Sequence, residues 1–253
     1  MEELHLAIDA QRSILAVTTP FSWPALKRMD LAQSRLRNQY IVGSRLDDPA
    51  EVVRALCAVQ AQDYSAALWA VGLRLRNVRD IAIEQAIAER NIVRTWPMRG
   101  TLHFVAAEDA RWLIELLGPR TLRRSAARLN RDFAIDAALV RRARRIIERA
   151  LRGGLALTRS QLYERLEAEH IATSEQRGMH ILWWVAHEGL ICCGARSGKQ
   201  HTFVLFDEWI PSTSTLSRED ALATLAERYF AHHGPATLAD FVWWSGSTMS
   251  DAK

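Results

Sequence analysis

Two glutamines separated by one alanine are the residues of this sequence best suited to chemistry. Gln60 and Gln62 follow a helical pattern that falters near Gln60, and Asp63 is a candidate N-cap for the next helix. In an extended or turning segment, residues i and i+2 project to the same side, so the two amides can converge. Each amide has one acceptor and two donors and can hold a water molecule or contact a base edge. Alternatively, the pair caps a helix or lies on the surface.

The elements around this pair predict a helix, helix and hairpin unit over residues 31–107. Asp48–Pro49 marks the start of the helix before the glutamines, with proline at the first helical position. A helical pattern at Ile81–Arg90 then leads to two short strands, Val93–Trp96 and Thr101–Val105, because β-branched and aromatic residues flank a turn with Pro and Gly. A helix followed by a hairpin is typical of a winged-helix unit.

The same order of elements predicts a second winged-helix unit over residues 158–216. Its helices are expected at Thr158–Glu169 and Ser174–Glu188, and its strands at Leu190–Gly194 and His201–Phe206. The fold class is therefore mainly α with small β-hairpin wings, built from tandem winged-helix units.

The second helix of that unit is predicted to have two different faces. Its apolar stripe comprises Met179, Leu182, Trp183, Ala186 and Leu190. Arg177, His180 and Trp184 lie on the other side and are candidate DNA-binding residues. A Trp beside Arg and His would either stack on a base or sugar or pack on the neighbouring unit, and the pattern leaves both open.

The two ends of the chain are expected to be peripheral or incomplete. Residues 1–30 predict an N-terminal arm that is interrupted by two prolines. Residues 217–253 predict the start of a third winged-helix unit, because Gly234–Phe241 repeats the arrangement of Gly154–Leu162. We expect this third unit to lack its last helix and its wing in this chain.

An arginine-rich helical linker is predicted over residues 108–157. Its helices are expected at Glu108–Leu117, Pro119–Asn130 and Asp136–Leu151. Between residues 120 and 152 there are eleven arginines and three acidic residues, a local net charge of +8. Arg141 and Arg145 lie opposite the apolar stripe of the third helix and are candidate phosphate contacts. A solvated helix face would give the same pattern.

The composition limits the remaining possibilities. The chain has 253 residues, 49% of them hydrophobic, and a net charge of +4, so it can bury a substantial core. Its three cysteines lack the spacing of a zinc site or a disulfide framework. No apolar run reaches the ~20 residues that span a bilayer, and we expect a cytoplasmic protein. Trp69 and Trp96 are expected in the core.

Three stretches together resemble the AlkZ/YcaQ-type family of winged-helix DNA glycosylases. They are Cys57–Tyr64 (CAVQAQDY), Arg94–His103 (RTWPMRGTLH) and Phe241–Gly246 (FVWWSG). The resemblance implies tandem winged-helix units, excision of alkylated bases or unhooking of interstrand crosslinks, and catalytic roles for Gln60 and Gln62. It also implies double-stranded DNA as the partner and a protein that continues beyond this chain. We expect a monomer without a metal or organic cofactor.

The implied chemistry suits two neutral amides. A purine alkylated at N7 or N3 already carries positive charge and leaves readily, so Gln60 and Gln62 would orient a water molecule toward the anomeric carbon and stabilise the developing oxocarbenium charge. Arg99 and His103 would contact phosphate or support the glutamines, or else satisfy the polar groups of the hairpin turn. The alternative function is a non-enzymatic winged-helix DNA-binding protein such as a transcriptional regulator.

Overall fold

In the computed structural model, which describes residues 30–76, 80–210 and 216–253, two β-hairpins join into one six-stranded antiparallel sheet. The strands are β1 (Val59–Gln60), β2 (Ile92–Met98), β3 (Thr101–Ala106), β4 (Leu157–Thr158), β5 (Ile191–Cys193) and β6 (Thr202–Leu205). Their order is β1-β3-β2-β5-β6-β4. Both predicted hairpins are confirmed, as β2–β3 and β5–β6, and Arg94 of β2 pairs with Cys193 of β5 to connect them.

Helices make up most of the described chain. They are α1 (Leu31–Asn38), α2 (Pro49–Leu56), α3 (Tyr64–Gly72), α4 (Asp80–Ala88), α5 (Ala107–Phe133), α6 (Ala137–Leu151), α7 (Arg159–Ala168), α8 (Arg177–His187), α9 (Phe206–Trp209), α10 (Arg218–His233) and α11 (Leu238–Ser245). The predicted mainly helical class with a small antiparallel sheet is confirmed. Among the described helices, none has the length and apolar character needed to cross a membrane. The predicted N-terminal arm lies outside the described residues, except for residue 30.

Side-chain caps fix where several helices begin. Asp48, Asp63, Thr158 and Thr237 each accept a hydrogen bond from a backbone N–H of the following first turn. Such caps satisfy N–H groups that have no partner within the helix. The cap at Asp63 confirms its predicted role and starts α3 directly after the two glutamines.

Helix α5 is a single helix of 27 residues that contains Pro119. The prediction of two separate helices here was wrong. A helix-interior proline removes one backbone hydrogen bond and costs about 3 kcal/mol, but α5 is buried along much of its length before Pro119. The Thr121 hydroxyl donates to the Leu117 carbonyl at 3.3 Å. Gly118 allows close packing, because a Cβ there would lie 2.6 Å from the His187 carbonyl oxygen.

Three hydrophobic clusters pack on the sheet. The first joins α2, α3 and α4 to Phe104, the second joins α5, α10 and α11 to Val105, and the third joins α6, α7 and α8 to Trp96. Trp96 is buried as predicted and stacks on Phe203. The same prediction for Trp69 was wrong, because its side chain is 65% exposed.

Candidate active site

The two glutamines lie at an edge of the sheet, on either side of a fully buried alanine. Gln60 ends β1, the edge strand, and its register partner on β3 is His103. Ala61 is buried, whereas Gln60 and Gln62 are both exposed. The segment is a junction between helices α2 and α3, as the sequence predicted, and its extended conformation gives the alternating burial that strands show.

Gln62 lies where two cavities meet. The larger cavity, of about 640 Å³, extends toward α7 and the turn between β5 and β6, and the smaller one, of about 340 Å³, toward α5 and the β2–β3 turn. Gln62, Trp96, Leu102 and Met179 line both cavities. Gln60 lines neither, so the structure does not bring the two amides to one cavity.

The charge of both cavities is positive. The larger is lined by Arg94, Arg159 and Lys199, and the smaller by Arg99 and Arg128. No Asp or Glu is among the described residues that line either cavity. This lining suits an anionic ligand such as a nucleic-acid backbone.

A backbone hydrogen bond fixes the amide of Gln62. The N–H of Leu102 donates to Gln62 Oε1 at 3.2 Å. Because a backbone N–H can only donate, the oxygen of the amide must face Leu102, and this settles which end of the side chain is which. The Nε2 group, with two donors, is left for a ligand.

Arg94 supports the same segment from the buried side. Its side chain is 5% exposed, and Nε and Nη2 both donate to the Ala61 carbonyl, at 3.0 and 2.8 Å. Nη2 also lies 3.5 Å from the Gln62 carbonyl oxygen. Sequence reasoning did not identify Arg94 as a site residue, although an arginine inside the predicted strand Val93–Trp96 was the available signal; the structure shows that the whole strand is buried.

An aromatic group missed by sequence reasoning lines the larger cavity. Tyr64 packs edge-on against His201, with ring centroids 4.9 Å apart, and the guanidinium groups of Arg94 and Arg196 lie over its ring. Burial and the nearby Glu84 raise the pKa of Tyr64 to about 12. Burial, with Arg94 and Arg196, lowers the pKa of His201 to about 4. Both side chains are therefore neutral near pH 7.

Arg99 and His103, predicted together, occupy different environments. Arg99 lies exposed in the β2–β3 turn, lines the smaller cavity and places its guanidinium 5.4 Å from the ring centroid of Trp243. His103 is only 2% exposed and its Nδ1 lies 2.9 Å from the Thr101 carbonyl oxygen. Burial lowers the pKa of His103 to about 4. A buried, neutral imidazole does not fit the predicted phosphate contact, whereas its place opposite Gln60 fits a supporting role.

The three candidates on α8 face the protein as well as solvent. Arg177 donates to the Ala134 carbonyl at 3.1 Å. His180 lines the smaller cavity, with its ring centroid 4.2 Å from that of Phe133, and burial lowers its pKa. Trp184 packs on the third hydrophobic cluster, and its Nε1 donates to Glu188 at 2.9 Å.

The predicted apolar stripe of α8 is rotated relative to the observed one. Ile181 and Val185 are fully buried, while Met179 and Trp183 are only partly buried. Both partly buried residues line the smaller cavity, and Trp183 Nε1 donates to the Gly100 carbonyl at 2.9 Å. The second unit thus forms one wall of the site by contacting the hairpin turn of the first.

Four of the five arginines of α6 fall into two groups, and the fifth, Arg142, donates to the Glu169 carbonyl. Arg144 and Arg149 form ion pairs with Glu188 and Glu169. Arg141 and Arg145 are exposed, and neither has an ion pair or side-chain hydrogen bond among the described residues. Their charge is available to an external anion.

The fold that carries this basic cleft is that of a DNA glycosylase family. The chain belongs to the AlkZ-like DNA glycosylase family, whose family model matches residues 53–253. This confirms the resemblance inferred from the sequence.

A named relative is the interstrand DNA cross-link repair glycosylase of Streptomyces sahachiroi, which is 26% identical over 220 residues, covering 83% of this chain and 58% of the relative. The solved structure of Streptomyces sahachiroi DNA glycosylase AlkZ has the same fold, with a TM-score of 0.68 at 24% identity over 86% of this chain and 61% of that one. The chain thus spans about three fifths of the length of these relatives.

Proposed function

We propose that this chain is the base-excising part of a DNA glycosylase that releases alkylated, cationic purines or unhooks interstrand crosslinks in duplex DNA. One observation carries the proposal: Gln62, with its amide held by Leu102, lies where two basic cavities meet, and no described carboxylate lines them. A site without a carboxylic acid to protonate the base suits a leaving group that is already charged. Membership of the AlkZ-like family supports the same reaction.

In the proposed reaction, a water molecule attacks the anomeric carbon of the damaged nucleotide. The bond from that carbon to the base nitrogen breaks, its electron pair neutralises the cationic purine, and the proton of the attacking water passes to solvent. Gln62 donates from Nε2 to the water oxygen and holds it in position. Gln60 lines neither cavity, so this reaction requires the damaged sugar to lie along the exposed edge of the sheet, where the Gln60 carbonyl dipole stabilises the oxocarbenium charge.

We assign duplex binding to tandem winged-helix units. In the first unit α4 leads to the wing β2–β3, and in the second α8 leads to the wing β5–β6. Arg99, Arg141 and Arg145 are exposed and would contact phosphates. Arg177 and His180 would contribute from α8. Trp184 is the weakest of the candidates, because its packing and its bond to Glu188 already account for it.

The test is base release from a duplex that carries one N7-methylguanine, and from a second duplex with a guanine–guanine N7 crosslink. Gln60→Ala and Gln62→Ala are each expected to lower the rate by about 10²–10³-fold, with duplex affinity nearly unchanged. Gln200→Ala is the control, because Gln200 lines the larger cavity but has no contact with Leu102. A chain that binds both duplexes and releases no base from either would overturn the proposal in favour of non-enzymatic DNA binding.

A further inference from the structure

We propose that Arg94 is a positioning residue that sets the orientation of Gln62 by removing one carbonyl from the sheet. The inference rests on the function proposed above. Arg94 touches neither the water nor the sugar in that reaction. It acts through the backbone of Ala61, which its guanidinium binds with two donors.

The register of β1 on β3 shows what Arg94 prevents. Gln60 lies opposite His103, so the next pair along the strands is Ala61 and Leu102. The Ala61 N–H donates to the Leu102 carbonyl at 2.7 Å, as in a hydrogen-bonded antiparallel pair. In such a pair the second bond would run from the Leu102 N–H to the Ala61 carbonyl. That second bond is absent between these two described residues, and the Ala61 carbonyl instead accepts both Arg94 donors, which occupy its two lone pairs.

The Leu102 N–H is thereby left for Gln62. A buried backbone donor without a partner is costly, so the N–H binds the nearest acceptor, Gln62 Oε1. If the ladder bond closed, Gln62 would lose this contact, and either end of its amide could then face the cavities. Arg94 thus determines that Nε2 faces the water.

The surroundings of Arg94 explain why an arginine stands at this position. Its planar fork delivers two parallel donors to one carbonyl oxygen, which the single ammonium of lysine does not do. The guanidinium lies 5.5 Å from the centroid of the Tyr64 ring. Cys193, which lies opposite Arg94 on β5, is buried. Packing on both sides therefore holds the fork in one orientation.

A double-mutant cycle tests whether Arg94 acts through Gln62. In single-turnover release of N7-methylguanine, Arg94→Met is expected to slow the rate on the order of 10²-fold, the effect of small misplacements at active sites. In the Gln62→Ala background the same change is expected to have almost no further effect. The rates are measured at saturating enzyme, so a change in duplex affinity on loss of the Arg94 charge does not enter the comparison. An equal slowing in both backgrounds would overturn the proposal.

Arg196→Met is the matched control. Arg196 also lies over the Tyr64 ring, at 4.9 Å, but it binds Glu84 and the Lys199 carbonyl and contacts neither Ala61 nor Gln62. Its loss is expected to leave the rate within about threefold of the wild type. If Arg94→Met does not fold, Arg94→Lys serves in its place. Lysine keeps the positive charge but can direct only a single N–H to the Ala61 carbonyl, so the rate is expected to fall about tenfold. A full rate with lysine would overturn the proposal.

A readout without activity separates this proposal from the proposed function. In nuclear magnetic resonance spectra of the free protein, the scalar coupling across the hydrogen bond from the Leu102 N–H to Gln62 Oε1 is expected in the wild type and not in Arg94→Met. Persistence of the coupling in Arg94→Met would overturn the positioning role whatever the activity. Loss of the coupling, together with a wild type that releases no base, would refute the glycosylase function and leave the control of Gln62 by Arg94 standing.

Discussion

Trp243 offers the sharpest test of where the proposed DNA substrate would lie on this protein. Its side chain, on α11, is 76% exposed, and the Arg99 guanidinium lies 5.4 Å from its ring centroid. Arg99 also lines the smaller cavity, which includes Gln62. An exposed tryptophan next to a basic cavity is well placed to stack on a base that has left the helix.

The expected cost of Trp243→Ala follows from this exposure. The protein gains little stability from the mostly exposed ring, so the free energy of unfolding is expected to change by less than about 0.5 kcal/mol. Stacking of one base on an aromatic side chain is worth about 1–3 kcal/mol. At 1.4 kcal/mol per factor of ten, duplex affinity would fall by roughly 5–150-fold. Fluorescence anisotropy with a labelled duplex that contains N7-methylguanine measures this loss directly.

Trp69→Ala provides the control. Trp69 is 65% exposed but lies on α3 and lines neither cavity. Its loss is expected to leave affinity within about twofold. Equal losses for the two variants would show that exposed aromatic surface in general attracts DNA. Unchanged affinity of Trp243→Ala would refute the placement of DNA at this cavity.

Three further outcomes are expected. Alanine at both Arg141 and Arg145 would lower the slope of log affinity against log salt by about 2, whereas the ion-paired Arg149→Ala would leave it nearly unchanged. His103 has a pKa of about 4 in the folded state, so the unfolded chain binds its proton first and this residue lowers the free energy of unfolding by about 2 kcal/mol between pH 7 and pH 5. Urea unfolding of the wild type and of His103→Gln at both pH values measures this contribution. Asp109→Asn would cost about 3–5 kcal/mol in urea unfolding at pH 7.

The expected cost of Asp109→Asn comes from a buried ion pair. Asp109 is 2% exposed and accepts from Trp112 Nε1 and from Arg228 Nη1, so its loss leaves a largely buried guanidinium without its ion pair. A change below about 1 kcal/mol would show that water reaches that cation. His103→Gln should make the decline in stability between pH 7 and pH 5 smaller by about 2 kcal/mol, the rest coming from His187, His201 and His233, whose pKa values burial also lowers to about 4. An undiminished decline would assign it wholly to those groups. Equal salt slopes for all the arginine variants would remove α6 from the DNA interface.

Local sequence signals predicted much of the fold. The caps at Asp48 and Asp63 and both hairpins follow from residues adjacent in the chain, where cap and turn chemistry acts. The break expected at Pro119 did not occur, because burial along α5 outweighs one lost hydrogen bond. The apolar stripe of α8 was misplaced because a second surface, the β2–β3 turn, packs against Trp183.

The site itself was only partly predictable. The types and spacing of Gln60 and Gln62 identified the segment, but the orientation of Gln62 depends on Leu102, forty residues away in sequence. The role of Arg94 depends on the same long-range pairing of β1 with β3. Periodicity within one element carries no information about such pairs, so the positioning contacts emerged only from the structure.

The pairing of β2 with β5 has a mechanical consequence. One sheet includes both hairpins and α5 packs beside both halves of it, so moving one hairpin away from the other would break the pairing of β2 with β5 in the described residues. We therefore expect the adjustment that seats the proposed duplex to come largely from the DNA, and bending a site of 20–30 base pairs costs of order 1–6 kcal/mol. A lesion that makes the duplex easier to bend would lower this bending energy. The protein could then distinguish damaged from intact DNA by how easily the DNA bends, before it contacts any base.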